Sequence, residues 1–246
     1  MSNLSRLRDN IAALRSVLSS DGKCDNTILS RYTGFGGLAF VLNPLDKSKW
    51  SKSDLTCYDD TVELHRLLRD YAGDERTMKR WMASLKNSVL TAYYTPDELA
   101  TAISQTLWDA VPTANVLDPA AGMGVFMQTP ATCEGCEHIV AYEKDLLTGM
   151  LLRSKYHYKK CDVRIDGFEH FPDDELGSFD LVATNVPFGN VAVFDDAYSN
   201  SGLEVRQEAV KFIHRYYVLK GLDCLREGGI EAYIITSNYL NNDTEQ

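Results

Sequence analysis

Leu4, Leu7, Ile11, Leu14 and Leu18 recur at spacings of three and four, which predicts an amphipathic helix at the start of the chain. Residues 60–71 and 76–90 read the same way, the second carrying Met78, Trp81, Met82, Leu85 and Val89 as one apolar stripe. Between the first helix and these two, residues 20–58 lack a period and contain YTGFGGL (32–38), whose three glycines forbid a regular element. Residues 1–90 are therefore expected to form a mostly helical N-terminal region.

The pattern changes after residue 90. Thr95, Pro96 and Glu98 predict a helix start, with Thr95 as N-cap, Pro96 in the first helical position and Glu98 closing a capping box. Leu99, Ile103, Leu107 and Val111 are expected to be its buried face. The chain then alternates. Strands are predicted at 114–120, 138–145, 161–169, 179–185 and 230–237. Helices are predicted from Gly122, over 146–157 and over 203–226, the last stopped by Gly228-Gly229. This alternation implies an α/β fold, a mostly parallel sheet with helices on both faces, spanning residues 91–246.

Composition narrows the class. The 246 residues are 44% hydrophobic with a formal charge of −10. No run approaches the roughly 18 apolar residues of a membrane span. The N-terminal MSNLSRLRDNIAALRS has no continuous apolar core of a signal peptide. A cytoplasmic protein with no membrane partner is expected. The six cysteines are scattered, as suits reduced thiols. Cys133 and Cys136 form one CxxC which, even with His138, is half a zinc site, so no metal is assigned. The acidic balance argues against a nucleic-acid binder over its whole surface, yet RTMKRWMASLK (76–86) and RSKYHYKKCDVR (153–164) are locally basic.

In parallel sheets, ligands sit beyond the C-terminal ends of the strands. Three of those ends carry acids: Asp118, Glu143 and Asp166. After Asp118 comes a small-residue turn, with Ala120, Gly122 and Gly124 letting a ligand approach the backbone. No third glycine completes a dinucleotide fingerprint, and an acid at this point suits a ligand with a positive end. Glu143 is placed for two ribose hydroxyls and Asp166 for an exocyclic amine, with Phe168 near a base ring. Together these describe a pocket for S-adenosyl-L-methionine. The fourth strand ends in TNVPFGN (184–190). There the Asn185 side-chain carbonyl and the Val186 backbone carbonyl can accept both hydrogens of a planar amino group, turning its nitrogen lone pair toward an electrophile. Pro187 shapes the loop and Phe188 offers a face on which a flipped base stacks. The polar loop that follows, 189–202, is expected to be mobile and to reach the target strand.

The ordered set YYTP (93–96), DPAAGMG, YEKD, RIDGFE and NVPF resembles the gamma-class adenine (N6) DNA methyltransferases over about residues 90–240. It looks closest to the methylase segment of large methylase–helicase proteins of bacterial mobile elements, where a GFGGL-like stretch also precedes the TP motif. The resemblance implies a Rossmann-like methyltransferase fold and a DNA substrate. It implies that the region of Tyr94, Thr95 and Pro96 contacts the methionine end of the cofactor. Val186 departs from the family's first proline, and the chain stops at Gln246, just after the fifth strand, so a missing C-terminal recognition or helicase region is expected. The motif type also serves protein-glutamine methyltransferases, and a non-catalytic DNA-binding or anti-restriction module on a degenerate fold is a further alternative. YTGFGGL reads equally as a tight structural loop or as a lid.

Overall fold

The computed structural model describes residues 1–20, 24–111, 115–157, 160–189 and 191–236. The chain divides into two compact units, one of Met1–Tyr94 with Asp145–His157 and one of the remainder.

The first unit is helical. Its elements are α1 (Asn3–Ser19), α2 (Asn26–Leu29), α3 (Lys52–Leu55), α4 (Tyr58–Ala72) and α5 (Glu75–Thr91). Ser2 caps α1 by accepting from the Ser5 amide at 3.2 Å, and Asp74 caps α5 by accepting from Thr77 at 2.8 Å. Leu7, Ile11, Leu14 and Val17 of α1 are buried, as are Leu64 and Leu68 of α4 and Trp81, Leu85 and Val89 of α5.

YTGFGGL is a seated loop of this unit. The Asn10 side chain donates to the Gly34 carbonyl at 2.7 Å and accepts from the Thr33 amide at 2.9 Å. Arg6 donates to the Gly36 carbonyl at 3.1 Å. A Cβ on Gly36 would stand 1.9 Å from the Ala92 carbonyl oxygen, and one on Gly34 would stand 2.5 Å from the Tyr94 ring. The glycines let residues 92–94 pass within contact of the loop, so its reading as a tight structural loop is the one the packing favours.

The second unit holds the sheet. In chain order come α6 (Asp97–Ala110), β1 (Asn115–Asp118), α7 (Gln128–Thr132), β2 (His138–Tyr142), α8 (Leu146–Tyr156), β3 (Cys161–Arg164), β4 (Phe179–Asn185), α9 (Asp196–Ser199), α10 (Glu204–Ala209), α11 (Ile213–Cys224) and β5 (Leu225–Ile234). Although α8 joins β2 to β3, it belongs to the helical unit, where it packs with α1, α2 and α5. The strand order is β3-β2-β1-β4-β5 and every pairing is parallel. Among the described residues no helix is long and apolar enough to cross a membrane.

Several elements depart from the sequence expectation. Pro96, in extended conformation and without a side-chain bond, is the residue before α6, so Thr95 forms no capping box. Leu99 is half exposed, while Ala100 and Ser104 take the buried positions and the Ser104 hydroxyl donates to the Phe126 carbonyl at 3.2 Å. The helix after Asp118 starts only at Gln128, because Gly122 and Gly124 take φ of 55° and 72°, outside the helical range. The third strand ends at Arg164, and Phe168 starts a short 3₁₀ turn.

The helix predicted over 203–226 is two helices, α10 and α11. The intervening backbone bonds to the preceding loop, Val193 amide to Val210 carbonyl at 2.8 Å and Ile213 amide to Val191 carbonyl at 2.9 Å. Gly228-Gly229 lies inside β5, not ahead of it. Phe179 pairs with Leu225 and Leu181 with Ile230, so the glycines are absorbed in an irregularity of the ladder. Residue 237, the expected end of the fifth strand, lies outside the described residues, as do residues 112–114 ahead of β1.

Candidate active site

The order of the strands locates the site. Chain progression runs outward through β1, β2 and β3 on one side and reverses to β4 and β5 on the other, so the switch point lies between β1 and β4. The C-terminal ends of these two neighbours are Asp118 and Asn185.

Asp118 is 1% exposed. Its Oδ1 accepts from the Thr184 hydroxyl of β4 at 2.7 Å and from the Ala120 amide at 3.3 Å, while its buried Oδ2 has no partner. Burial pushes its pKa up to about 7, and the bonds from Thr184 and Ala120 only partly oppose that rise. A buried carboxylate oxygen left without a donor is costly in an empty protein and is satisfied by a cationic or hydrogen-bond-donating ligand. Thr184 joins the two strand ends, and nothing in the β4 pattern beyond a polar residue in an apolar strand announces it.

The glycine turn is fastened to the second strand end. The Ala121 amide donates to the Tyr142 carbonyl at 2.8 Å, and the Gly122 amide donates to Glu143 Oε2 at 2.8 Å. Glu143 therefore holds the turn as well as standing where a ribose is expected. Arg164, at the end of β3, makes a two-pronged bond to Glu175 at 2.8 and 2.9 Å and donates to the Tyr142 hydroxyl at 2.9 Å, bracing the neighbouring strand ends.

Asp166 is exposed and accepts from its neighbour's Gly167 amide at 2.8 Å and pairs with His170 at 2.7 Å. Desolvation raises its pKa, but the His170 and Gly167 bonds outweigh it and hold the carboxyl below the usual range. The same pair raises the pKa of His170, a residue the sequence reading did not single out. Phe168 stands differently from expectation. It is fully buried, with its ring 5.3 Å from Tyr217, 5.8 Å from Phe171 and 6.1 Å from Tyr142. An aromatic core encloses it and leaves no face for a base ring.

Asn185 closes β4 with its side-chain oxygen shielded from water. Val186 is buried and its amide donates to the Ile234 carbonyl of β5 at 3.0 Å, while Pro187 and Phe188 are half-buried. Gly189 then turns the chain at φ 128°. The loop beyond carries one buried acid. Asp195 is 4% exposed and accepts from the Tyr216 hydroxyl at 2.6 Å, the Tyr198 amide at 3.0 Å and Lys220 at 3.2 Å. Asn190 lies outside the described residues.

Thr95 is 8% exposed with its hydroxyl oxygen buried and without a partner, and Pro96 follows it on the surface. Tyr94 belongs to the helical unit, where its hydroxyl lies 3.1 Å from that of Thr148. Among the described residues no group of three or more His, Cys, Asp or Glu is placed to hold a metal ion.

A protein of Listeria monocytogenes described as a class I S-adenosylmethionine-dependent methyltransferase superposes over 97% of this chain and 76% of its own, with a TM-score of 0.52 at 13% identity. The fold is that of the class I S-adenosylmethionine-dependent methyltransferases. The methyltransferase subunit of a type I restriction-modification system from Streptococcus thermophilus superposes over 94% of this chain and 56% of its own, with a TM-score of 0.52 at 14% identity. In sequence, the chain is similar to the type II methyltransferase M.AccI of Acinetobacter calcoaceticus, 24% identical over 156 residues, which are 61% of this chain. The match spans 28% of that relative's length. No protein-family model matches the chain.

Proposed function

We propose that this chain is an S-adenosylmethionine-dependent methyltransferase that acts on the exocyclic amine of adenine in DNA. One observation carries the reading. At the switch point of a methyltransferase-type sheet, a buried carboxylate with one unsatisfied oxygen stands beside the NVPF turn, and Thr184 ties the two strand ends together. The fit to the cofactor rests on the unsatisfied Asp118 Oδ2 and on the positive-φ glycines at 122 and 124, which leave the turn backbone open to close approach. Asp118, Gly122, Gly124 and Glu143 would hold it, with Thr95 and Asp166 as further contacts. The cofactor supplies an electrophilic methyl group on a sulfonium.

The chain's own residues do the rest. The Asn185 and Val186 carbonyls accept the two hydrogens of the target amine and orient its lone pair, while Phe188 stacks the extruded ring. No side-chain nucleophile is required, so the scattered cysteines have no part in transfer. The adenine-specific, DNA-directed part of the reading is proposed on the order of motifs, beside a sequence similarity to a type II methyltransferase. Placement in the gamma class, and among mobile-element methylases, is proposed on the motifs alone.

Isothermal titration with S-adenosylmethionine tests the pocket. Wild type binds and Asp118→Ala loses more than tenfold in affinity. Asn185→Ala keeps the affinity within about threefold and loses transfer of labelled methyl to unmethylated DNA by at least a hundredfold. Cofactor affinity that fell together with transfer in Asn185→Ala would refute the division of labour between the two strand ends.

A further inference from the structure

We infer that the exposed face of α5 is a track for the phosphate backbone of duplex DNA, a binding surface separate from the strand-end site. The inference rests on the DNA reading proposed above. Arg76, Lys79, Arg80 and Lys86 are all exposed. At 100° per residue they fall within an arc of about 120° on one side of the helix, with Ala83 and Asn87 between them. From Arg76 to Lys86 the stripe is about 15 Å long, the length over which one strand of a duplex presents four or five phosphates.

Among the described residues none of these four cations has a carboxylate within 4 Å, whereas Arg8, Arg15, Arg66, Arg164, Arg206 and Arg226 all pair with acids. The chain as a whole carries 35 acids against 25 bases. A stripe of four bases left without acids, on an acidic protein, runs against the chain's own balance. Such a stripe attracts a polyanion locally.

The chemistry also discriminates between polyanions. A membrane-surface helix dips an apolar face into the lipid. The apolar face of α5, with Trp81, Leu85 and Val89, is buried within its own unit and is not available for that. What remains is a rigid row of charges, held by a helix capped at Asp74, which suits a phosphate backbone read without sequence. Such a surface positions a duplex and carries no base specificity.

The test uses the 246-residue chain and its variant R76Q/K79Q/R80Q/K86Q, whose changes are all on exposed positions. Binding of a fluorescently labelled 30-base-pair duplex is followed by anisotropy across a salt series. The variant is expected to bind at least tenfold more weakly near 0.1 M salt, with the slope of log affinity against log salt shallower by about 3. Equal affinity and equal slope in both proteins, including a wild type that does not bind the duplex, overturns the inference. Loss of binding to phosphatidylserine vesicles with duplex binding unchanged also overturns it and assigns the face to a membrane surface. Cofactor titration on both proteins separates this outcome from the enzymatic reading. Unchanged cofactor affinity with lost duplex binding supports the track, whereas a wild type that binds duplex but no cofactor defeats the methyltransferase proposal alone.

Discussion

At the scale of single residues, Asp118 concentrates the physics of the site. Its carboxyl has a pKa of about 7 in the folded chain, against an ordinary value of 3.8. The folded state therefore holds this proton more tightly than the unfolded chain. The associated stability is fully present below about pH 4 and is lost as pH rises through 7. Asp118→Asn removes the charge while keeping an oxygen for Thr184 and Ala120. It is expected to stabilise the cofactor-free protein at pH 8 by on the order of 2 kcal/mol and to gain little at pH 4, as read from urea unfolding at the two values. The ligand's positive end has the opposite preference and needs the carboxylate. Wild-type affinity for S-adenosylmethionine should accordingly rise roughly tenfold between pH 6 and pH 8, because the ionised fraction of a group with a pKa near 7 rises about that much. A flat titration profile over this interval would separate Asp118 from the cofactor.

At the scale of elements, two loops are held by opposite means. YTGFGGL is held by fit. Gly36 has no room for a Cβ, while a Cβ on Gly37 would meet nothing within 4 Å and suffers only from its φ of 75°. Gly36→Ala is expected to cost about 3 kcal/mol or more and Gly37→Ala about 1 kcal/mol, measured by tryptophan fluorescence in urea. Equal costs would mean that residues 92–94 are not seated on the loop. The loop after NVPF is held by charge. Lys220→Met leaves Asp195 buried with two of its three partners and should destabilise by about 3 kcal/mol. Guanidinium unfolding within 1 kcal/mol of wild type would show that Tyr216 and the Tyr198 amide suffice. This network was not legible in the loop's polar composition, since burial of Asp195 depends on Lys220 and Tyr216, which lie over twenty residues away in the chain.

At the scale of the whole molecule, a ligand that binds only the folded state raises stability by mass action. At a hundredfold excess over its dissociation constant S-adenosylmethionine should add about 2.7 kcal/mol. For a chain of this size that moves the unfolding temperature by roughly 5–10 °C. Differential scanning calorimetry should show this rise in wild type and lose it in Asp118→Ala. A rise retained in the variant would place the cofactor elsewhere. The compact units change at Tyr94, and α8 groups with the helical one although it lies between two strands in the chain. The helix over 146–157 was legible from its own pattern, but its grouping with α1, α2 and α5 was not, because periodicity reports that a face is buried and not against what.

The sequence by itself determined the elements whose cause is local. The five strands stand in the predicted order because short apolar runs bounded by turn residues are a property of each segment. Asp118, Glu143 and Asn185 fall at or just beyond strand ends for the same reason. Tertiary structure decided what depends on partners distant in the chain. It buried Phe168 in an aromatic cluster, moved Thr95 out of its cap, exposed Leu99 in favour of Ala100, and drew Gly228-Gly229 into β5. It also gave Asp118 its partner in Thr184, 66 residues away, and left the other carboxylate oxygen unsatisfied. Residue type sets what a side chain can bond. Only the packed fold sets which of those bonds are made and which are left for a ligand.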